Sequence, residues 1–98
     1  MIRIVWTRPA LEHVQEIRSF IARDSPRYAR VVADRLVAAV GRLGTHSLSG
    51  RIVPEVGQGT LREVIEPPYR IVCRVRAELL EVVAVVHSAR RFPSDDLR

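Results

Sequence analysis

Apolar positions follow two different spacings in the two halves of the chain. In the first half they recur every three or four residues, at Leu11, Val14, Ile17 and Ile21, and again at Ala29, Val32, Leu36, Ala39, Val40 and Leu43. This spacing is typical of a helix with one buried stripe. A β-branched run at 2–6 precedes the first helix. In the second half, three runs rich in Val, Ile and Leu occupy 61–65, 69–76 and 79–87, as expected of strands.

The helix boundaries have recognisable residues. Thr7 stands where an N-cap of the first helix is expected, and Ser25 followed by Pro26 has the composition of a second helix start. So short a break between two helices predicts an antiparallel hairpin. Gly41 and Gly44 indicate where the second helix weakens and stops.

Turn residues divide the second half. Ser, Gly and Pro at 45–59 predict a loop with at most a short strand around 51–53, Glu66-Pro67-Pro68 predicts one turn, and Ala77-Glu78 predicts a tight hairpin. The expected fold class is α+β: an N-terminal strand, an antiparallel two-helix hairpin, then a three- to four-stranded antiparallel sheet. With 98 residues, we expect a single domain at 1–92 and a flexible C-terminal tail at 93–98.

The charge is unusual because every basic residue is arginine. The formal net charge is +5, and the chain contains no lysine. A GC-rich genome alone would explain missing lysine, but the positive charge still favours an acidic protein or a nucleic acid as partner. The single cysteine, Cys73, lies within an apolar strand pattern and is expected to be a small buried residue. His13, His46 and His87 lack ligand spacing, so we expect no metal and no cofactor.

No segment has the length of a membrane-spanning helix, because the longest apolar run, at 79–86, is interrupted by Glu81. The N-terminus also lacks the apolar core of a signal peptide. We therefore expect a cytoplasmic protein that does not contact a membrane.

Arginines are spread through the strand region, at Arg62, Arg70, Arg74 and Arg76. Because side chains alternate along a strand, arginines on a strand that packs on a core must point away from it, which predicts a row on one sheet face. Such a row is a candidate binding surface. The alternative is a solvated face in which these arginines pair with Glu63, Glu78 and Glu81, at little gain in stability.

Several short motifs now add up to a resemblance. With the expected order of elements, the chain resembles the RelE/ParE superfamily in Gly50-Arg51, Pro54-Glu55, Leu61-Arg62-Glu63, Tyr69-Arg70-Ile71-Val72, Val85-Val86-His87 and Arg90. The resemblance extends from Trp6 to about Arg91. It implies a bacterial toxin of a type II toxin–antitoxin system, with plasmid or chromosome stabilisation as its setting. A cognate antitoxin, whose C-terminal segment wraps the toxin, would neutralise it in a hetero-oligomer.

The superfamily has two kinds of target. RelE-like members cut mRNA in the ribosomal A site, whereas ParE-like members inhibit DNA gyrase without a known chemical change. If the chain is RelE-like, the resemblance implies a metal-independent endoribonuclease with the catalytic residues Glu55, Arg62, Arg70, His87 and Arg90. In that set Glu55 is the general base, and Arg70 binds phosphate. One departure weakens this assignment, because RelE-type nucleases usually end in a Tyr or His and 88–98 contains neither.

Other stretches favour ParE, namely 6–10, the helix around Glu16, 23–26 and the ending at 86–90. We therefore expect a DNA gyrase inhibitor that causes growth arrest, with mRNA cleavage at the ribosome as the alternative and a basic nucleic-acid-binding module as a second alternative. The residues expected to contact the target or the antitoxin are Arg62, Arg70, Arg74, Arg76, Arg90, Arg91 and Phe92.

Overall fold

The computed structural model describes residues 2–45, 50–53 and 60–88. Its elements are β1 (Arg3–Trp6), α1 (Arg8–Ala22), α2 (Pro26–Thr45), β2 (Arg51–Ile52), β3 (Leu61–Glu66), β4 (Tyr69–Arg76) and β5 (Leu79–His87). The α+β order expected from the sequence is confirmed, and β4 and β5 have the predicted bounds. The proposed tail at 93–98 lies outside the described residues.

All described strands form one sheet with the order β1-β5-β4-β3-β2. Strands β2 to β5 pair antiparallel in succession. The first strand, in contrast, lies parallel to the last one, with Arg3 opposite Leu79 and Trp6 opposite Val82. The periodicity of 2–6 predicted a strand here but carried no information about its neighbour, because pairing depends on residues far along the chain.

Hydroxyl side chains start both helices, as predicted. The Ala10 N–H donates to Thr7 Oγ1 at 3.4 Å, and the Tyr28 N–H donates to Ser25 Oγ at 3.1 Å. Thr7 also donates its hydroxyl proton to the Val82 carbonyl oxygen at 2.7 Å. The start of α1 is therefore fixed to β5 where the pairing with β1 ends.

Helix α2 continues without interruption through Gly41 and ends at Thr45, one residue beyond Gly44, so the predicted end of the helix is close to the observed one. A Cβ atom at Gly44 would lie 2.7 Å from Ile4 Cδ1. Gly44 therefore serves close packing of α2 against β1, and an added methyl group would require the end of the Ile4 side chain to move.

The main core lies between the helices and one face of the sheet. Its buried members include Leu36, Val40, Leu43, Ile71, Cys73, Leu80, Val82 and Val85. A smaller buried cluster, made of Val53, Leu61, Val72 and Ala84, occupies the opposite face. The β4–β5 register shifts between Val72, which pairs with Ala84, and Cys73, which pairs with Val82. Val83 is therefore the additional residue of a bulge. No helix in the described part is long and apolar enough to cross a membrane.

Candidate functional site

Three arginines of β4 lie on the sheet face opposite the helices. Arg70, Arg74 and Arg76 share the alternation of Val72, which belongs to the cluster on that face, whereas Ile71 and Cys73 pack on the helical side. For these three the predicted row on one face is confirmed.

Arg62 does not belong to this row. The β3–β4 turn pairs Glu66 with Tyr69, so even-numbered residues of β3 face odd-numbered residues of β4, and Arg62 stands opposite Cys73. Opposite residues of an antiparallel pair project to the same side. The Arg62 side chain therefore projects from the sheet face that packs against the helices. Its Nη1 donates to the Gly50 carbonyl oxygen at 3.3 Å. The expectation that all four arginines share one face is wrong for this residue.

Arg70 forms a buried ion pair with Glu63. Its Nε donates to Glu63 Oε2 at 2.6 Å, and the two side chains are only 7% and 0% exposed. Glu63 is opposite Val72, so the two charged residues are diagonal neighbours on one face, within reach of long side chains. Charges this far from water are stable only when they are paired. The pair therefore joins β3 to β4 and engages the arginine proposed to bind phosphate.

The other two β4 arginines lie nearer the solvent. Arg74 is partly exposed and stands opposite Glu81, and Arg76 is exposed. Arg76 Nε lies 3.1 Å from Glu81 Oε1, yet that oxygen is buried without an aligned hydrogen bond in the described structure. Because its guanidinium side chain is 60% exposed, this ion pair contributes little to stability, and Arg76 is accessible to a partner.

Tyr69 and His87 meet where β4 begins and β5 ends. They are paired in register, and their rings form an edge-to-face contact with centroids 6.3 Å apart. Burial, and secondarily the nearby Tyr28, raises the pKa of the Tyr69 phenol above its ordinary value of 10.0. Tyr69 is consequently a protonated phenol at neutral pH. His87 is exposed.

The described members of the proposed catalytic set do not converge. Arg70 projects from the face opposite the helices, whereas Arg62 and His87 project from the helical side. Arg62 is level with Cys73 and His87 with Tyr69, four residues apart along β4, or roughly 13 Å. Glu55, Arg90, Arg91 and Phe92 lie outside the described residues.

His13 has a structural role that its isolated position in the sequence did not suggest. The Val85 N–H donates to His13 Nδ1 at 3.1 Å, which joins α1 to β5 beyond the last residue paired with β1. This nitrogen must therefore be unprotonated, with the ring proton on Nε2. The sequence contained a signal for this role. His13 lies three residues after Ala10 and four before Ile17, so it borders the apolar stripe of α1 that packs against the main core. Glu63 likewise lies two residues from the apolar Leu61 and from the apolar Ile65. Its side chain therefore shares their face of β3, and this pattern indicated burial.

An open groove lies between α1 and the end of β5, with a volume of about 510 Å³. Its walls include Glu12, Glu16 and Phe20 from α1, and Tyr69, Val85 and His87 from the sheet. We call it the α1–β5 groove. Among the described residues that line it there is no arginine, in contrast to the opposite sheet face.

Cys73 offers no reactive thiol in the folded protein. It is fully buried, and burial raises its thiol pKa from 9.0 to about 12. The expectation of a small buried residue is confirmed. The described His, Cys, Asp and Glu side chains form no cluster of three or more suited to a metal ion.

Comparison with known proteins connects this geometry to a family. The family model described as ParE toxin of type II toxin-antitoxin system, parDE, matches residues 4–92. Toxin RelE2 of Caulobacter vibrioides is 37% identical over 91 residues, which cover 92% of this chain and 99% of the relative. The Sinorhizobium fredii protein Y4kP is 34% identical over 92 residues, 93% of either chain.

Solved structures show the same fold. A chain of the chromosomal ParDE system from P. aeruginosa superposes with a TM-score of 0.73 at 20% identity, covering 89% of this chain and 96% of that one. A chain of the RelBE2 toxin–antitoxin complex from Mycobacterium tuberculosis gives 0.61 at 17% identity, covering 88% and 96%. The family match spans nearly all of the chain, so this protein belongs to the ParE toxin family of type II toxin–antitoxin systems.

Proposed function

We propose that the free protein inhibits DNA gyrase and that a cognate antitoxin neutralises it. The observation that carries this proposal is the engagement of Arg70 by Glu63 in a buried pair on one face of the sheet. Both targets of the superfamily are cytoplasmic, so the proposal also includes a cytoplasmic site of action.

Cleavage of RNA without a metal makes demands that this arrangement does not favour. A base for the 2′-hydroxyl, an acid for the leaving oxygen and a cation for the phosphate must all reach one phosphodiester. The side chains of Arg70 and His87 project from opposite faces of the sheet, and side-chain rotation does not bring such groups together. Inhibition of a protein target needs surface complementarity only, so it imposes no such convergence.

The antitoxin follows from family membership and from the surface. The chain has a net charge of +5, and Arg76 is accessible on the sheet face. The helices also expose apolar side chains, of which Phe20 is 68% and Val37 55% exposed. An amphipathic antitoxin segment with acidic residues would cover both kinds of surface.

A gyrase supercoiling assay beside a ribosome-dependent mRNA cleavage assay tests the proposal. We expect purified protein to block supercoiling, to leave mRNA intact, and to lose its effect when antitoxin is added. Cleaved mRNA with undisturbed supercoiling would refute it. The variant Arg76→Ala addresses the exposed arginine, with Arg35→Ala on the outer side of α2 as a matched control.

The second candidate is mRNA cleavage at the ribosome, and the Tyr69–His87 pair favours it. The pair places a phenol beside an imidazole, two groups that can carry protons in RNA cleavage, although the raised pKa makes Tyr69 a weak acid. A relative of this chain also has the name RelE2. Under this candidate, His87→Ala and Tyr69→Phe each abolish cleavage; under gyrase inhibition, both retain the supercoiling block.

A further inference from the structure

The α1–β5 groove differs in charge from the rest of the chain. With sixteen arginines and a net charge of +5, the chain as a whole would be expected to repel a basic partner. The groove instead has Glu12 and Glu16 on its α1 wall and no arginine among the described residues that line it. An oppositely charged patch of this kind favours a basic group and fixes the orientation of its carrier.

The carboxylates of this wall are available to a partner. Glu12 contacts Arg8 Nε at 3.5 Å, but the two side chains are 62% and 91% exposed, so this contact is easily exchanged. Glu16, one turn further along α1, is exposed. With a spacing of four residues, the two carboxylates stand on the same side of the helix.

Phe20 continues this side of α1 by one more turn. Phe20 is 68% exposed, more than any other exposed large apolar residue that the structure describes. The guanidinium carbon of Arg23 lies 5.9 Å from the ring centroid, so the face of this ring already accepts a cation within the chain. Glu12, Glu16 and Phe20 also border a second hollow, which Arg23 lines as well.

The apolar part of the groove completes the site. Ile17, Val85 and Val86 contribute aliphatic surface beneath the carboxylates. The volume of about 510 Å³ accommodates one long side chain together with apolar neighbours.

We propose that the α1–β5 groove binds an arginine or lysine side chain, flanked by apolar residues, of the cognate antitoxin. Glu12 and Glu16 accept its hydrogen bonds, and Phe20 covers its cationic end. The acidic residues expected on the antitoxin pair with the accessible Arg76 on the opposite sheet face, so the groove and that face bind groups of opposite charge on the same partner. This inference rests on the antitoxin part of the proposed function and is independent of the target.

The test measures, by calorimetry, the affinity of the purified protein for the antitoxin encoded beside it. The variant Glu12→Gln/Glu16→Gln removes both charges and keeps good helix formers, so α1 should remain folded. We expect its affinity to fall about tenfold or more, because hydrogen bonds to a charged group are lost, with a smaller loss at high salt. Phe20→Leu keeps an apolar side chain without the aromatic face, and we expect a loss of about threefold to tenfold.

Asp34→Asn is the matched control, since Asp34 is an exposed carboxylate on α2 outside the groove. Its affinity should stay within about twofold of the unaltered protein, as expected for a screened surface charge. A double-mutant cycle then pairs Glu16→Gln with replacement of each antitoxin Arg or Lys by Gln. Against one of these antitoxin variants the effect of Glu16→Gln should disappear.

Unchanged affinity of the Glu12→Gln/Glu16→Gln variant overturns the inference, as does an effect that persists against every neutralised antitoxin variant. Failure of the gyrase proposal is recognised separately, because it appears in the supercoiling assay and leaves the calorimetric result untouched. If the unaltered protein has no effect on gyrase but the Glu12→Gln/Glu16→Gln variant shows the expected loss of antitoxin affinity, the inference stands and the proposed target is wrong.

Discussion

The buried Arg70–Glu63 pair yields the most quantitative prediction. Replacing either residue by Met leaves the other charge buried without its partner, at 7% exposure for Arg70 or 0% for Glu63. Removing one member of a buried pair costs about 3–5 kcal/mol. Since a domain of this kind has a total stability of about 5–15 kcal/mol, each single variant should lose a large fraction of it.

The double variant distinguishes the ion pair from simple packing. When both charges are replaced by apolar side chains of similar size, neither desolvation cost nor attraction remains, and the free energy of unfolding often recovers. We therefore expect Glu63→Met/Arg70→Met to be more stable than either single variant. The cycle should show a coupling free energy of about 2 kcal/mol or more.

Urea denaturation followed by tryptophan fluorescence measures these differences, because Trp6 is the single tryptophan and packs against the main core. Each single variant should move the midpoint by about 2 M urea or more. Arg76→Met is the control, since its exposed pair with Glu81 is worth about 1 kcal/mol at most. A free energy of unfolding of the single variants within ~0.5 kcal/mol of that of the unaltered protein, an ordinary surface effect, would refute the reasoning. So would a double variant whose loss of free energy equals the sum of the two single losses.

Three further predictions concern the fold. His13→Ala leaves the part-buried Val85 N–H without its acceptor, so we expect a loss of about 1–3 kcal/mol and faster hydrogen exchange at the Val85 amide; unchanged exchange would contradict the assigned bond. Gly41→Ala should stabilise α2 by about 0.5–1 kcal/mol because no atom lies within 4 Å of the added Cβ, whereas Gly44→Ala should gain less, since Ile4 must move; equal gains in denaturation midpoints would argue against that close approach. Cys73 has a thiol pKa raised from 9.0 to about 12 by burial, so the folded state keeps a proton that the unfolded state loses, and its contribution to stability is complete below pH 9 and declines as pH rises toward 12. Cys73→Ala should reduce that alkaline decline, measured as the pH dependence of the denaturation midpoint, and leave the part due to Tyr69, whose pKa is also raised; an unchanged decline would assign it to groups other than Cys73.

Local signals accounted for most of the elements. Thr7 and Ser25 cap helices through bonds to residues three positions away, so the information lies within one turn of the chain. The strand bounds of β4 and β5 likewise follow from runs between recognisable turns. The order of the elements followed from the same signals, and it formed part of the family resemblance.

The distribution of arginines between the faces was less accessible from sequence. Alternation within β4 places Arg70, Arg74 and Arg76 together, but the position of Arg62 depends on the β3–β4 register. The predicted turn, Glu66-Pro67-Pro68, has three residues and would place Arg62 on the same face as the other arginines. The observed turn has two residues, which reverses the parity between the strands. The bulge at Val83 reverses parity again in β5, and no local signal marks it. The Glu63 pairing and the His13 bond depend on such registers.

The parallel pairing of β1 with β5 has a consequence for synthesis of the protein. Arg3 finds its strand partner at Leu79, 76 positions later, so the sheet edge cannot form until most of the chain has left the ribosome. At roughly 5–20 residues per second this delays completion of the fold by several seconds. Chains that terminate before Leu79 lack both β5 and the partner of β1, and they are left with unpaired strand edges rather than a finished surface. The α1–β5 groove, which Val85 and His87 line, is likewise complete only after the last strand has been synthesised.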